Sequence, residues 1–155
     1  MDDFVSISES LLNNRTSGTI ETWVYSDTVN DETIISKQLD SVNTYSVFSI
    51  GYSVSGTGHG NGGSSGAMYF HGRNGTGSSP SQQSVQAGIW QHIAVTFSSS
   101  KTIFYIDGVA VGTTLGNFSI PNDMSSVTKI GSWHSHGNEF DGKLYEFRIW
   151  DAERS

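Results

Sequence analysis

The residues best suited to recognition chemistry lie in the segment 131–138, where an indole ring stands among imidazole, amide and hydroxyl side chains. Trp133 has no apolar neighbour in the sequence that would require its burial. An aromatic ring packs against the C–H side of a pyranose, while imidazoles and amides hydrogen-bond to its hydroxyls. We therefore predict that Trp133, His134, His136 and Asn138 form the lip of a shallow sugar-binding site.

A glycine-rich segment, residues 56–66, stands before Tyr69 and His71 and predicts a loop. Loops rich in serine, glycine and asparagine also adapt to protein surfaces. A structural or adhesive module of a virion or cell-surface protein, which binds protein, is therefore the alternative to carbohydrate binding.

The pattern of acidic residues gives less support to catalysis. Glycoside hydrolysis needs two carboxylates about 5–9 Å apart that face one bond. Asp31 and Glu32 are adjacent, and Glu139 and Asp141 lie beside a glycine-rich segment instead of within a strand. Cysteine is absent from the sequence, and the abundance of serine makes a chance Ser/His/Asp combination uninformative. We predict that the chain is not an enzyme, with a glycoside hydrolase or polysaccharide lyase as the weaker alternative.

Length and charge limit the classes of partner. The 155 residues amount to a single domain, 1–155, which we expect to belong to a longer chain. Eight basic residues against fifteen acidic ones give a net charge of −7, which argues against nucleic acid as a partner. No apolar run approaches the ~20 residues that cross a bilayer, so we predict no membrane insertion.

The candidate residues must be positioned by β-strands, which appear in the sequence as short runs of alternating apolar and polar residues. Alternating or β-branched runs bounded by Gly, Asn, Asp or Ser predict strands at residues 4–7, 19–25, 33–37, 45–53, 67–72, 84–86, 89–97, 102–106, 109–111 and 143–150. Residues 8–14 are expected to form a loop. Because each strand has one apolar face that needs a cover, two sheets packed face to face are predicted.

Two strands and one turn are the clearest of these elements. Alternation places Val95 among the core residues of 89–97, and it places Tyr145 on the same face as Phe147 in 143–150. The pair at 107–108 is Asp-Gly, which suits the two positive φ angles of a type I′ hairpin turn. The domain is therefore predicted to be all-β and antiparallel.

Several sequence blocks follow one another in a recognisable order. They are DFVSI at 3–7, GTIETWV at 18–24, IISK at 34–37, WQHIAVT at 90–96, FYIDG at 104–108, IG at 130–131 and FDGKLYEFRIW at 140–150. This order resembles laminin-G-like modules of the concanavalin A-like lectin and glucanase superfamily. The resemblance covers essentially the whole chain and implies a jelly-roll sandwich of two antiparallel sheets, commonly with carbohydrate binding, adhesion or a calcium site. If the strand at 67–72 is central in its sheet, as the resemblance implies, Tyr69 and His71 approach the predicted sugar site, which the loop at 56–66 partly covers.

The resemblance also implies where calcium would bind. If the first and last strands pair, as the family topology implies, Asp3 and Asp141 lie near each other and loop carbonyls complete the coordination shell. The family usually has an acidic residue where Tyr145 stands, so Glu146 is left alone in this chain. The cofactor that the resemblance implies is calcium, with Asp3 and Asp141 as its side-chain ligands.

The three other tryptophans fall inside the family-like strand blocks. Trp23, Trp90 and Trp150 are expected in the core or on a sheet face. The combined prediction is a non-catalytic, lectin-like module outside the cell, on a cell surface or in a virion. Its expected partner is a glycan or polysaccharide, with other surface or virion proteins as further partners.

Overall fold

The computed structural model describes residues 4–39, 46–53, 66–72, 83–116, 118–120, 126–133 and 139–154. Over these ranges the backbone forms ten β-strands and one 3-10 turn at Glu9–Leu12. The strands are β1 (Val5–Ile7), β2 (Gly18–Ser26), β3 (Glu32–Leu39), β4 (Ser46–Ser53), β5 (Ala67–Gly72), β6 (Trp90–Phe97), β7 (Lys101–Ile106), β8 (Val109–Leu115), β9 (Ser126–Ile130) and β10 (Gly142–Trp150). Within the described residues, no helix is long and apolar enough to span a bilayer.

The strands form two five-stranded sheets. The first sheet has the order β1-β9-β3-β4-β5 and the second sheet the order β10-β2-β6-β7-β8. All neighbouring strands run antiparallel. The two sheets enclose one hydrophobic core, and the predicted jelly-roll sandwich is confirmed.

Aromatic rings join the two sheets at the centre of the core. Val95 and Phe97 of β6 are buried, as their alternation predicts. Phe97 stacks on Phe70 of the first sheet with 5.4 Å between ring centroids, and Phe118 meets Phe70 edge-on at 5.6 Å. Burying one such side chain stabilises a fold by about 1.5–3 kcal/mol, so this cluster contributes strongly to sheet packing.

The Asp107-Gly108 turn is confirmed. The φ angles are 51° at Asp107 and 78° at Gly108, both positive as a type I′ turn requires. The carboxylate of Asp107 accepts a hydrogen bond from the backbone N–H of His92 at 2.8 Å. The backbone N–H of Asp107 donates to the carbonyl of His92 at 2.7 Å. The turn is therefore fixed to β6 as well as to its own hairpin.

Some predicted elements differ from the structure. Residues 84–86 are not a strand, because Ser84 makes only an isolated bridge to Ala67. The sequence does not predict β9, which is short and whose fully buried residue is the polar Thr128. The expected loop at 8–14 contains the 3-10 turn, which buries Leu12 against the core.

The expected pairing of the first and last strands is wrong. β1 pairs with β9 in the first sheet, whereas β10 pairs with β2 in the second. Both strands are edges, and they belong to different sheets. Phe4 and Asp141 nevertheless line one cleft, so the start of β1 stays near Asp141 without a shared hydrogen-bond ladder.

A β-bulge reverses the alternation of β10. Tyr145 lies opposite Trp23, and Arg148 lies opposite Glu21, so three steps on β10 correspond to two on β2. Glu146, inside the bulge, has a φ of 54°. Phe147 therefore packs against the core while Tyr145 is exposed, and the predicted shared face of these two residues is wrong.

Candidate functional site

Only part of the predicted sugar site falls on described residues. Trp133 follows β9 closely and is partly buried, and its carbonyl accepts a hydrogen bond from the Ser132 hydroxyl at 2.6 Å. His134, His136 and Asn138 lie outside the described residues, as does the glycine-rich segment 56–65. The structure therefore does not bring these residues together, and their joint site stays a prediction.

Tyr69 and His71 lie on β5 in the first sheet. The Tyr69 ring is 2% exposed, and its hydroxyl lies 3.5 Å from the hydroxyl of Thr33. The backbone of His71 pairs with Ser49, whereas its side chain lies outside the described residues. In this structure the Tyr69 ring packs inside the protein instead of facing a ligand.

The second sheet presents an open face to solvent. Along β2, Ile20 and Val24 point into the core, so Glu21 and Trp23 point outward. Cross-strand partners share a side of the sheet, and the register extends this outward side, the outer face, across four strands. Its rows are Lys143–Tyr25–Trp90, Tyr145–Trp23–His92 and Arg148–Glu21–Ala94–Tyr105.

Aromatic rings dominate the first two rows of the outer face. Trp23 is 38% exposed, Trp90 46% and Tyr145 63%. Trp23 meets His92 edge-on at 5.4 Å, and Tyr25 lies 5.7 Å from Trp90. A group of large exposed apolar side chains marks an interaction surface. We name Trp23, Tyr25, Trp90 and Tyr145 the aromatic platform.

Glu21 organises the polar groups beside the aromatic platform. Its Oε1 accepts a hydrogen bond from the indole N–H of Trp150 at 3.0 Å and lies 3.7 Å from the guanidinium of Arg148. Its Oε2 lies 3.9 Å from Nε2 of His92. Arg148 also donates to Glu146 at 2.7 Å. Hydrogen-bond donors and acceptors therefore stand directly beside the exposed rings.

The sequence predicts Trp23 and Trp90 in the core or on a sheet face, and the structure places both on a sheet face with exposed rings. The signal that could have found them is the alternation in β2. Glu21 shares its side with Trp23, whereas Ile20 and Val24 occupy the other side. A charged residue on the tryptophan side marks that side as the one facing solvent.

A cleft of about 830 Å³ separates the edges of the two sheets and includes Asp27, Glu139 and Asp141 in its lining. The N–H of Asp27 donates to the carbonyl of Asp141 at 2.8 Å, which fixes this wall. Calcium takes six to eight oxygen ligands. Among the described residues, no three acidic or histidine side chains are grouped to hold a metal, and Asp3 lies outside them. The described residues alone do not fit calcium, which stays a prediction.

Glu32, at the start of β3, has the most perturbed carboxyl group of the described chain. The residue is 2% exposed, and its Oε1 accepts a hydrogen bond from the Thr28 hydroxyl at 2.7 Å. Its Oε2 is buried without a hydrogen-bond partner among the described residues. Burial raises the pKa of Glu32 to about 7, the Thr28 hydrogen bond opposes this shift, and the charge of Asp141 adds to it.

The comparison with sequence families gives one match over the whole chain. Residues 1–155 match the Laminin_G_3 family, described as the concanavalin A-like lectin/glucanases superfamily. No curated protein sequence matches the chain.

Several solved structures share the fold. Domain 4 of AbnA, an extracellular GH43 arabinanase of Geobacillus stearothermophilus in complex with arabinotriose, is 15% identical with a TM-score of 0.71, over 98% of this chain and 68% of that one. The CBM40 of Ruminococcus gnavus IT-sialidase, bound to α2,3 sialyllactose, is 12% identical with a TM-score of 0.71, over 99% and 91%. A hypothesised carbohydrate-binding protein of Bacteroides ovatus is 20% identical with a TM-score of 0.76, over 98% and 42%. At these identities the likeness shows the shared fold.

Proposed function

Because this chain belongs to the Laminin_G_3 family of the concanavalin A-like lectin/glucanases superfamily, we propose that it is a non-catalytic carbohydrate-binding module. The observation that carries the proposal is the aromatic platform. Trp23, Trp90 and Tyr145 each expose more than a third of their surface on one sheet face. Aromatic rings that remain exposed in a folded domain are suited to stacking on the C–H faces of sugars.

The dimensions of the platform suit several sugar units. Trp23 and Tyr25 are two residues apart on one strand, which separates their side chains by roughly 7 Å. Tyr145 and Trp90 extend the platform onto the strands on either side of β2. An oligosaccharide lying across these strands would contact more than one ring.

The similar structures support the same ligand class. The arabinanase domain is in complex with arabinotriose, and the sialidase CBM40 is bound to sialyllactose. These two ligands differ in charge and in ring type. The shared fold therefore supports carbohydrate as the ligand class without selecting a particular sugar.

The carboxyl groups of Glu32 and of the outer face favour a non-catalytic role. A glycosidase acid commonly has a raised pKa and must reach the glycosidic oxygen. Glu32 has a pKa of about 7, but it is 2% exposed and does not line the cleft. Glu21 and Glu146 are both engaged by Arg148. None of these three carboxyl groups offers an accessible proton donor paired with a second free carboxylate.

We place the module outside the cell, as the sequence predicts and as the extracellular arabinanase of similar fold supports. The rival function is an adhesive or structural module of a cell surface or virion. Such a module would use the same aromatic platform against a protein. The polar groups of Glu21 and His92 beside the rings favour sugar hydroxyls as the partner.

A glycan array tests this proposal. The unmodified protein is expected to bind a restricted set of glycans, and Trp90→Ala is expected to weaken that binding roughly thirtyfold, the effect of losing an aromatic anchor. Leu115→Ala, which truncates an exposed side chain at the far end of β8, is the matched control. Absence of binding to every glycan by the folded protein would contradict the proposal and favour the rival.

A further inference from the structure

A shallow pocket opens in the outer face at Ala94. Ala94 lies opposite Glu21 on β2 and Tyr105 on β7, so its methyl group forms a floor between longer side chains. The other lining residues include Thr19, His92 and Arg154, and the volume is about 210 Å³. At roughly 30 Å³ per water molecule this volume is that of about seven waters, which is room for a single monosaccharide unit.

The far side of the pocket is closed by the chain that follows β10. The Thr19 hydroxyl donates to the carbonyl of Ala152 at 2.9 Å and accepts from the backbone N–H of Arg154 at 2.9 Å. The Arg154 guanidinium lies over the ring of Trp150 at 4.1 Å. These contacts fasten residues 152–154 beside the start of β2 and place Arg154 in the pocket lining.

The other side of the pocket adjoins the aromatic platform. On β2, Trp23 is two residues after Glu21 and on the same face of the sheet, which separates the two side chains by roughly 7 Å. His92 belongs to both regions, since it lines the pocket and contacts the Trp23 ring. A glycan that lies on the platform and runs toward Arg154 therefore ends in the pocket.

The polar lining of the pocket indicates which sugars it would take. Oε1 of Glu21 is occupied by the indole of Trp150, which leaves Oε2 to accept a hydrogen bond from a sugar hydroxyl. Arg154 and Tyr105 supply donors. An acceptor beside donors matches adjacent sugar hydroxyls, each of which both donates and accepts. The carboxylates of Glu21 and Glu146 balance the guanidinium groups of Arg148 and Arg154 in this part of the outer face. An acidic sugar would therefore gain little attraction and would face the Glu21 carboxylate.

We propose that this pocket binds the neutral terminal unit of a glycan whose following units lie on the aromatic platform. The inference rests on the proposed function. It adds recognition of a chain end and selection against acidic terminal sugars.

Alanine methyl resonances provide a direct test in the unmodified protein. The chain has five alanines, of which Ala94 is the pocket floor, while the buried Ala67 on β5 of the first sheet is the internal control. Protein with ¹³C-methyl alanine is titrated with L-arabinose, D-galactose, D-glucose, D-mannose and D-glucuronate at millimolar concentrations and equal ionic strength. At least one neutral sugar is expected to shift Ala94 saturably and to leave Ala67 unchanged.

D-glucuronate is expected to bind at least about tenfold more weakly than that neutral sugar, a difference of about 1.4 kcal/mol. Absence of an Ala94 shift with every neutral sugar would overturn the inference. An equal response to D-glucuronate and D-glucose would overturn its selection for neutral sugars.

A pair of identical substitutions tests the pocket on the glycan array. Ala94→Leu fills the floor and is expected to weaken binding at least about tenfold. Ala87→Leu adds the same side chain at an exposed turn position before β6 that does not line the pocket, and is expected to leave binding unchanged. The glycans bound by the unmodified protein are expected to share a neutral terminal unit.

The outcomes separate this inference from the proposed function. No glycan binding by the unmodified protein overturns the proposed function and the inference with it. Binding that Trp90→Ala abolishes and Ala94→Leu retains overturns the inference alone. Where circular dichroism shows that Ala94→Leu does not fold, the methyl titration of the unmodified protein decides.

Discussion

The indole N–H of Trp150, at the end of β10, donates to Oε1 of Glu21 on β2 across 3.0 Å. This hydrogen bond joins an edge strand to its neighbour on the outer face. It also fixes the Glu21 carboxylate between the aromatic platform and the Ala94 pocket. The orientation of Glu21 therefore depends on a residue 129 positions away in the sequence.

Trp150→Phe is expected to test that dependence. The phenyl ring still supports the Arg154 guanidinium, but the donor to Glu21 is lost. We expect the free energy of unfolding to fall by about 1 kcal/mol and glycan affinity to fall with it, measured by urea denaturation and calorimetric titration. Glu21→Gln retains an acceptor oxygen for Trp150 and is the control for stability. Unchanged stability in Trp150→Phe would show that the hydrogen bond contributes nothing.

Glu32 is expected to make stability depend on pH. Its pKa is about 7 in the folded protein against 4.5 when unperturbed, so the folded state binds more protons between these values. Stability is therefore greatest at the acidic end, falls as pH rises through this interval and levels off above it. The fall is at most about 3 kcal/mol and is measurable by urea denaturation across the interval.

Glu32→Gln is expected to flatten this pH profile, because the neutral amide has no proton to lose. Glu139→Gln removes an exposed carboxylate from the cleft and serves as the control that keeps the slope. If the slope persists in Glu32→Gln, another group is responsible for it.

Trp133→Ala separates the two candidate sugar sites. If the aromatic platform is the site, Trp90→Ala loses glycan binding and Trp133→Ala retains it. If the predicted lip with His134 and His136 is the site, Trp133→Ala loses glycan binding and Trp90→Ala retains it. Sugar binding through those imidazoles would also vary between pH 5 and 8, where histidine changes charge. Affinity titrations of both variants across that range distinguish the sites.

Calcium binding is expected, from the family resemblance, to raise the melting temperature. A ligand that binds only the folded state at a hundredfold excess over its Kd adds roughly 2.7 kcal/mol. Asp141→Asn removes the predicted carboxylate at the cleft and should lose the increase. Equal melting temperatures of the unmodified protein in chelator and in millimolar calcium would show that the folded protein does not bind calcium.

The predictable parts of the fold depend on short-range chemistry. The alternation around Val95 and Phe97 identified a core strand, because a strand's side chains alternate whatever its partners are. The Asp107-Gly108 turn was predictable because its two residues tolerate positive φ. The order of the strands within each sheet was harder to predict from the sequence, because the partners of β1 and β10 depend on contacts between distant parts of the chain.

The candidate site was less predictable than the fold. Whether Trp23 is core or surface depends on which face of its sheet the other sheet covers, and this is a tertiary property. Tyr145 reaches the outer face through a bulge that its alternation does not reveal. The polar sequence neighbours of Trp133 predict an exposed ring at a sugar site, yet Trp133 is partly buried in the folded chain.

The bulge in β10 has a consequence for self-association. β10 is an edge strand of the second sheet, and a regular edge strand is a template on which another chain can add a strand. The positive φ of Glu146 breaks the regular spacing of its N–H and C=O groups. The bulge that turns Tyr145 outward thus also hinders edge-to-edge pairing of sheets from different molecules. Deleting Glu146 is therefore expected to promote aggregation.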